Sequence, residues 1–264
     1  MNSNDYYKAN KNIWNERVEE HVNSDFYDNQ SFLKGRNSLN SIELDILGSV
    51  KNKRILHLQC HFGQDSLSLA RMGADVTGVD ISDQAISKAK ELNDALNLKA
   101  VFVCCNVLDI DKHVKGKFDL IFASYGTIGW LETLDPYFQN VAHFLKRGGQ
   151  YLIVDFHPTF WIFNEDFSKV AYSYFNEKVI IDEMEGSYAS ENANPKMKEY
   201  GWNHPFDEIF KAVHQAGLTL NDFKEYDFSP YDLFSDSTKT EKGFQIKGLE
   251  GKIPLVYSIL ITKG

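Results

Sequence analysis

The sequence predicts an α/β fold in which a parallel sheet is wrapped by helices on both faces. Two observations predict it. Between residues 54 and 155, short apolar runs alternate with amphipathic stretches, the signature of repeated strand–helix units and hence of a doubly wound sheet. The runs also end on residues of unusual chemistry: 59–63, Asp80, Asn106, 124–126 and 155–157. In such sheets ligands bind beyond the carboxyl ends of the strands.

Residues 1–36 are polar and aromatic, with a modest amphipathic helix expected over 14–22 and loop over 23–35. Leu39, Ile42, Leu44, Ile46 and Leu47 have helical spacing, and Asn40 with Glu43 makes a capping arrangement. Gly48 and the basic run 51–54 lead into a first strand, 55–58. Asp65 and Ser66 open the next helix, and Gly73 stops it. A second strand covers 76–80. Ser82 and Asp83 cap a helix that reaches about residue 96. Strands follow at 100–105 and 118–124. Asp135-Pro136 suits a helix start; that helix ends at the run 146–149, and a fifth strand covers 151–155.

After His157 the alternation breaks into an aromatic stretch, 158–203. A short hairpin is expected over 170–181 and a polar, mobile stretch over 185–199. His204-Pro205 starts a helix stopped by Gly217. Two closing strands cover 218–226 and 255–261.

The 264 residues are 43% hydrophobic and 25% charged, as in soluble globular proteins. Length alone permits one large α/β domain or two small ones. We expect one domain over 1–264, with a helical cap (1–50), a ligand-binding core (51–157), a lid insert (158–203) and a closing helix and hairpin (204–264). No apolar run suffices to span a bilayer, and the polar start is unlike a signal peptide. A net charge of −9 argues against nucleic acid as main partner, because phosphate binding is driven by Lys and Arg. Three cysteines, Cys60, Cys104 and Cys105, have no CxxC spacing; Cys104 and Cys105 on one strand point to opposite faces, so no metal is expected. Reduced, cytoplasmic protein is the simplest account.

The chemistry centres on the loop after the first strand, QCHFGQD. A dinucleotide fingerprint needs GxGxxG, so that backbone can approach a pyrophosphate at a helix N-terminus. This loop has one glycine, Gly63, and Asp65 in the helix's first turn would repel a phosphate. A cationic ligand suffers no such conflict. Asp80, at the end of the second strand, could be only an acidic turn residue; the motif around it favours a ligand contact. Gln59, Cys60 and His61 lie on the loop that must touch the ligand, chiefly through backbone. His57 fits a hydrogen-bonded core histidine as well as a ligand contact.

These motifs resemble those of the class I S-adenosylmethionine-dependent methyltransferases, from about residue 53 to the C-terminus with the aromatic insert excluded. In the first motif, His57-Leu58-Gln59-Cys60-His61-Phe62-Gly63, only the last glycine matches. VTGVDIS matches the second motif. The resemblance implies a Rossmann-like, seven-stranded sheet, mostly parallel with a reversed C-terminal hairpin. It implies that Asp80 binds the ribose hydroxyls, with Ile81 against the adenine. Asn106, with Val107, would face the adenine edge, and Ser124 and Tyr125 the methionyl part. FLKRGGQYLIVD and PLVYSILITKG match the fifth strand and the closing hairpin.

The expected function is therefore transfer of a methyl group from S-adenosyl-L-methionine to a small-molecule acceptor by in-line displacement, leaving S-adenosyl-L-homocysteine. The alternatives are a non-catalytic S-adenosylmethionine-binding module and an NAD(P)-dependent oxidoreductase. His157, at the pocket mouth, is the candidate general base or else a histidine orienting the loop before Pro158; His21 and His204 are weaker candidates. Trp14, Tyr27, Trp130, His157, Trp161 and Tyr188 are expected to wall the acceptor pocket. No nucleic acid or membrane partner is expected, and the chain is expected to be a monomer or homodimer.

Overall fold

The computed structural model describes residues 3–164, 166–184, 187–189, 197–234 and 236–264. Its centre is a seven-stranded sheet of β1 (Arg54–Leu58), β2 (Asp75–Asp80), β3 (Val101–Cys104), β4 (Phe118–Ser124), β5 (Leu145–Phe156), β6 (Leu218–Tyr226) and β7 (Val256–Lys263). The spatial order is 3-2-1-4-5-7-6. β1 to β5 are parallel. β7 enters antiparallel between β5 and β6, with Asp155 opposite Tyr257. Of the closing hairpin, only β7 runs against the rest of the sheet.

Alternation along the strands supplies two cores. Leu56, Ile121, Ile153 and Ile259 face one way, onto α6 (Asp135–Phe144) and α7 (Phe206–Gln215). Ile55, Leu120, Phe122 and Leu152 face the other, onto α3 (Ser41–Leu47) and α4 (Gln64–Arg71). A third cluster joins α4 and α5 (Asp83–Ala95) to Phe62 and Phe102. Burial on both faces is why the strands read as continuous apolar runs. Because β1 lies between β2 and β4, the chain reverses direction across the sheet there. That switch point leaves a crevice above the carboxyl ends of β1 and β4.

The cap differs from expectation. The helix expected over 14–22 runs the full length of α1, Ser3–Asn23. Its buried face carries Asn10, Arg17 and His21 beside Ile13 and Val18, so an apolar period does not reveal its extent. What it packs on is also polar. Asn10 donates from Nδ2 to Tyr200 O (2.7 Å) and accepts from Tyr200 N (3.1 Å), standing in for a neighbouring strand. Arg17 pairs with Glu199. α2 (Asn29–Leu33) follows within the stretch expected to be loop.

The hairpin expected over 170–181 is not formed. Ile180–Met184 pairs antiparallel with Met197–Gly201 instead, and Phe163 and Val170 form only an isolated bridge. Residues 197–199, expected to be mobile, belong to that strand; of the same stretch, residues 185, 186 and 190–196 lie outside the described residues. The strand is fixed because α1 lies against it through Asn10 and Arg17. No helix among the described residues is long and apolar enough to cross a membrane.

Candidate active site

A cavity of about 820 Å³ opens over the carboxyl ends of the parallel strands. It is lined by Gln59, Cys60, His61 and Gly63 of the first loop, by Asp80 and Ile81, by Asn106 and Val107, and by Ser124 and Tyr125. Trp14, Tyr27, Trp130, Trp161 and Tyr188 line it as well. The structure thus brings together all the expected cofactor and acceptor-wall residues except His157; of the weaker general-base candidates, His204 lines the cavity and His21 does not.

His157 is a correction. It is 3% exposed and both ring nitrogens are occupied. Nε2 donates to Glu225 Oε1 (2.8 Å), and Nδ1 accepts from Thr159 N (3.0 Å). Burial lowers its pKa, against the opposing pull of Glu225. It orients the turn after β5 and lines no part of the cavity, so neither the general-base nor the substrate-wall role holds. Sequence position alone could not show this, because Glu225 arrives from β6, 68 residues away.

The first loop is built by backbone. Cys60 N donates to Val79 O (2.9 Å), and Gly63 N to Cys60 O (2.9 Å). The Cys60 side chain is buried in the third core. His61 N donates to Asp80 Oδ2 (2.8 Å), while Ser82 N donates to Asp80 Oδ1 (2.9 Å). Two N–H groups expected to face a ligand, those of Cys60 and His61, are therefore committed within the protein. Asp80 is held rigidly at the tip of β2, and burial raises its pKa while these N–H donors oppose the rise.

Gln59 takes a left-handed backbone, φ 54°. Its Nε2 donates to Thr127 O (2.7 Å), whereas its Oε1 is buried with no partner. Ser124 Oγ donates to Asp65 Oδ2 (3.0 Å) in the first turn of α4. The Tyr125 hydroxyl donates to the buried Glu43 (3.1 Å). Asn106 Oδ1 accepts from Leu108 N (3.0 Å), capping the turn Val107–Lys112.

His61 also ties the loop to the cap. Its Nε2 meets His21 Nδ1 at 2.9 Å, and His21 Nε2 meets Ser187 Oγ at 3.0 Å. Burial, then the Arg17 charge, holds His21 near pKa 3. Burial, then His21 and Arg17, also holds His61 well below the usual range. Both rings are therefore neutral across the physiological range and serve as hydrogen-bonded struts. Trp14 packs edge-on to His61 and Trp130 (both 5.3 Å), and the Tyr27 and Tyr188 hydroxyls meet at 2.5 Å.

Several polar groups at the site have no individual role in the sequence reading, although Asp155 is among its strand-end residues. Asp155, 3% exposed, accepts from Thr127 N (3.0 Å), Thr127 Oγ1 (2.8 Å) and Gly126 N, and so pins the loop after β4. Asn203 and Tyr257 line the cavity. In sequence the former falls at the end of the insert and the latter in an ordinary apolar strand.

A family profile described as a methyltransferase domain matches residues 55–149. An uncharacterized methyltransferase of Synechocystis sp. is 28% identical over 131 residues, 49% of this chain and 59% of that protein. The chain thus spans less than two thirds of that relative's length. YqeM of Bacillus subtilis, named as a methyltransferase, is 26% identical over 206 residues, 74% of this chain and 81% of its own. An S-adenosylmethionine dependent methyltransferase from Mesorhizobium loti shares the fold with a TM-score of 0.60 at 16% identity, over 88% of this chain and all of the other. The methyltransferase profile match runs from β1 into β5, and the seven-stranded sheet with its single reversed β7 has the fold of that S-adenosylmethionine dependent methyltransferase.

Proposed function

We propose that the protein transfers a methyl group from S-adenosylmethionine to a small-molecule acceptor held in the same cavity. The observation that carries the reading is the Asp80 carboxylate, fixed at the cavity wall by His61 N and Ser82 N. Each of its oxygens keeps lone pairs for a further donor, as a ribose diol requires. Ile81 then lies beside the base, and Asn106 and Val107 at its edge. The methionyl ammonium fits the Asp65 end, where the carboxylate lines the cavity and is held by Ser124 Oγ, with Gln59 on the loop beside it. Gly63, Ser124 and Tyr125 complete that end.

Bound there, S-adenosylmethionine would supply an electrophilic methyl group. The protein's tasks are alignment and exclusion of water. The cap and the insert strand do both, since Asn10 and Arg17 lock α1 onto Met197–Gly201 across the crevice. At about 820 Å³ the cavity lies in the upper part of the roughly 300–1,000 Å³ range of small-molecule sites. That size supports a small acceptor beside the cofactor.

Calorimetry with S-adenosylmethionine, S-adenosylhomocysteine and NAD tests the reading. Both sulfur compounds should bind and NAD should not; binding of neither sulfur compound would overturn it. Asp80→Ala should weaken S-adenosylmethionine binding more than about tenfold, roughly 1.4 kcal/mol. Unchanged affinity in that variant would remove the ribose role. Tight cofactor binding without transfer to any acceptor would mark a binding module in place of an enzyme.

A further inference from the structure

S-adenosylmethionine carries a carboxylate as well as its two cationic groups, and the cavity has few places for it. The N–H groups of Cys60, His61 and Gly63 in the first loop are spent on Val79 O, Asp80 Oδ2 and Cys60 O. Asp65, Asp80 and Asp155 form part of the wall and repel an anion. Among the described residues that line the cavity, Arg17 and Arg36 are the only Lys or Arg.

Arg17 is already engaged. Its side chain is buried and paired with the equally buried Glu199, and its guanidinium lies over the Trp14 ring at 5.6 Å. Drawing it away would strand a buried carboxylate, which is costly, and would release α1 from the insert strand.

Arg36 is open to a ligand. It lies between α2 and α3, and its side chain is 37% exposed. Nη2 donates to Tyr27 O and, at 3.4 Å, to Asp28 O. Nε stands 3.9 Å from Asp28 Oδ2, beyond hydrogen-bond reach. The Asp28 carboxylate is itself committed, with Oδ1 accepting from Ser31 N (3.2 Å) as the cap of α2. So long and exposed a pair is weak and screened by salt. Of the five guanidinium N–H groups, those on Nε and Nη1 have no acceptor among the described residues.

Two contacts bring this guanidinium to the methionyl end. Arg71, the last residue of α4, donates from Nη1 to Arg36 O (3.2 Å). Gln64, the first residue of α4, donates from Nε2 to Tyr27 O (3.0 Å), the same oxygen that accepts from Arg36. The Arg36 side chain thus runs back along α4 to its first turn, where Gln64 stands between Gly63 and Asp65. All four residues line the cavity. An amino acid's carboxylate and ammonium hang from one carbon, so the group that holds one must stand near the group that holds the other.

We propose that Arg36 is the clamp for the methionyl carboxylate, and hence the residue by which the site selects S-adenosylmethionine over its decarboxylated form. The inference rests on the methyltransferase reading. Asp65 takes the ammonium, and the Arg36 fork takes the carboxylate in charge-assisted hydrogen bonds. Because Arg36 and Tyr27 belong to the cap, the bound cofactor also ties the cap to α4.

Calorimetry with S-adenosylmethionine and decarboxylated S-adenosylmethionine, which differ only in the carboxylate, tests the proposal. Wild type should bind the carboxylated compound about tenfold more tightly. Arg36→Met keeps the apolar stem and removes the fork. It should lower S-adenosylmethionine affinity about tenfold and leave the decarboxylated compound within about twofold of wild type. Arg36→Lys, which keeps the charge without the fork, should bind S-adenosylmethionine more tightly than Arg36→Met and less tightly than wild type. Equal wild-type affinity for the two compounds, equal weakening of both in Arg36→Met, or unchanged S-adenosylmethionine affinity in that variant would overturn the proposal with the cofactor reading intact. Failure of the wild type to bind S-adenosylmethionine or S-adenosylhomocysteine at all would overturn both.

Discussion

Gly63→Ala is expected to destabilise the protein by about 2–4 kcal/mol, through two separable effects. Gly63 caps α4 at φ 84°, in the left-handed region. An added Cβ would lie 2.8 Å from Phe102 Cε1, 2.9 Å from its Cζ and 3.0 Å from Ala89 Cβ. Neither neighbour can yield easily. Phe102 is 5% exposed, and Ala89 is fully buried on α5. Backbone strain alone costs upward of about 1 kcal/mol, and overpacking a filled site adds about 1–3 kcal/mol. For a chain of this size the melting temperature should drop by roughly 4–16 °C. Because Gly63 also sets where α4 begins, S-adenosylmethionine affinity should fall as well. A double-mutant cycle with Phe102→Leu separates the two effects, since the smaller side chain relieves the clash and leaves the φ penalty. A melting temperature within 2 °C of wild type, roughly the shift of half a kcal/mol or so, would show that the loop can move and that the glycine is incidental.

That glycine is the one position where the family's first motif survives intact, and the reason is packing. The familiar glycines elsewhere in the motif let backbone approach a ligand. Here Gln59 and His61 take left-handed backbone angles without being glycine, and their side chains do structural work. Gln59 reaches Thr127 O, and His61 reaches His21. The alternating strands and helices, both cores and the placement of Asp80 were legible because they depend on local apolar runs and one acidic strand end, whereas the seven-stranded arrangement with its reversed closing strand came from the family resemblance.

What was not legible depends on long-range polar pairing. The buried face of α1 is largely polar, and its partner strand Met197–Gly201 sits in a polar segment; neither produces an apolar period. His157 was misplaced because Glu225, distant in sequence, turns it away. Asn203 and Tyr257 were missed because a place on the cavity wall is a property of packing, visible only in the folded chain. The same holds for Glu43, which in sequence reads as Asn40's partner in a capping arrangement; the Asn40 side chain makes no cap bond, and Glu43 is buried against Tyr125 instead.

Glu43→Gln should flatten the fall in stability with rising pH and make the protein more stable than wild type above pH 7. Glu43 is 0% exposed. It accepts from the Tyr125 hydroxyl (3.1 Å) and from Asn40 Nδ2 (3.4 Å). Burial first, then the charge of Asp65, raises its pKa from 4.5 to about 7, against the hydrogen bonds that favour the carboxylate. An acid with a raised folded-state pKa stabilises the fold while protonated. The contribution is complete below pH 4.5 and is lost as pH rises through about 7. The full swing is on the order of 3 kcal/mol. His21 and His61, with depressed pKa values, act oppositely: their contribution is present above the ordinary histidine range and is lost as pH falls. Subtracting the variant's stability curve from the wild type's isolates Glu43. Gln keeps an acceptor for Tyr125 without the charge, so near pH 5 the two proteins should match, and near pH 8 the variant should be ahead by up to about 3 kcal/mol. Urea melts at several pH values measure this, and parallel curves would show that Glu43 is ionised throughout. The site adds a second reading. Tyr125 lines the cavity and holds Glu43, so a cationic cofactor should draw the Glu43 carboxyl toward its charged form. Near pH 7, S-adenosylmethionine binding should then release a fraction of a proton in wild type and less in Glu43→Gln. Calorimetry in buffers of different ionisation enthalpy measures that release, and equal release in the two proteins would disconnect Glu43 from the cofactor.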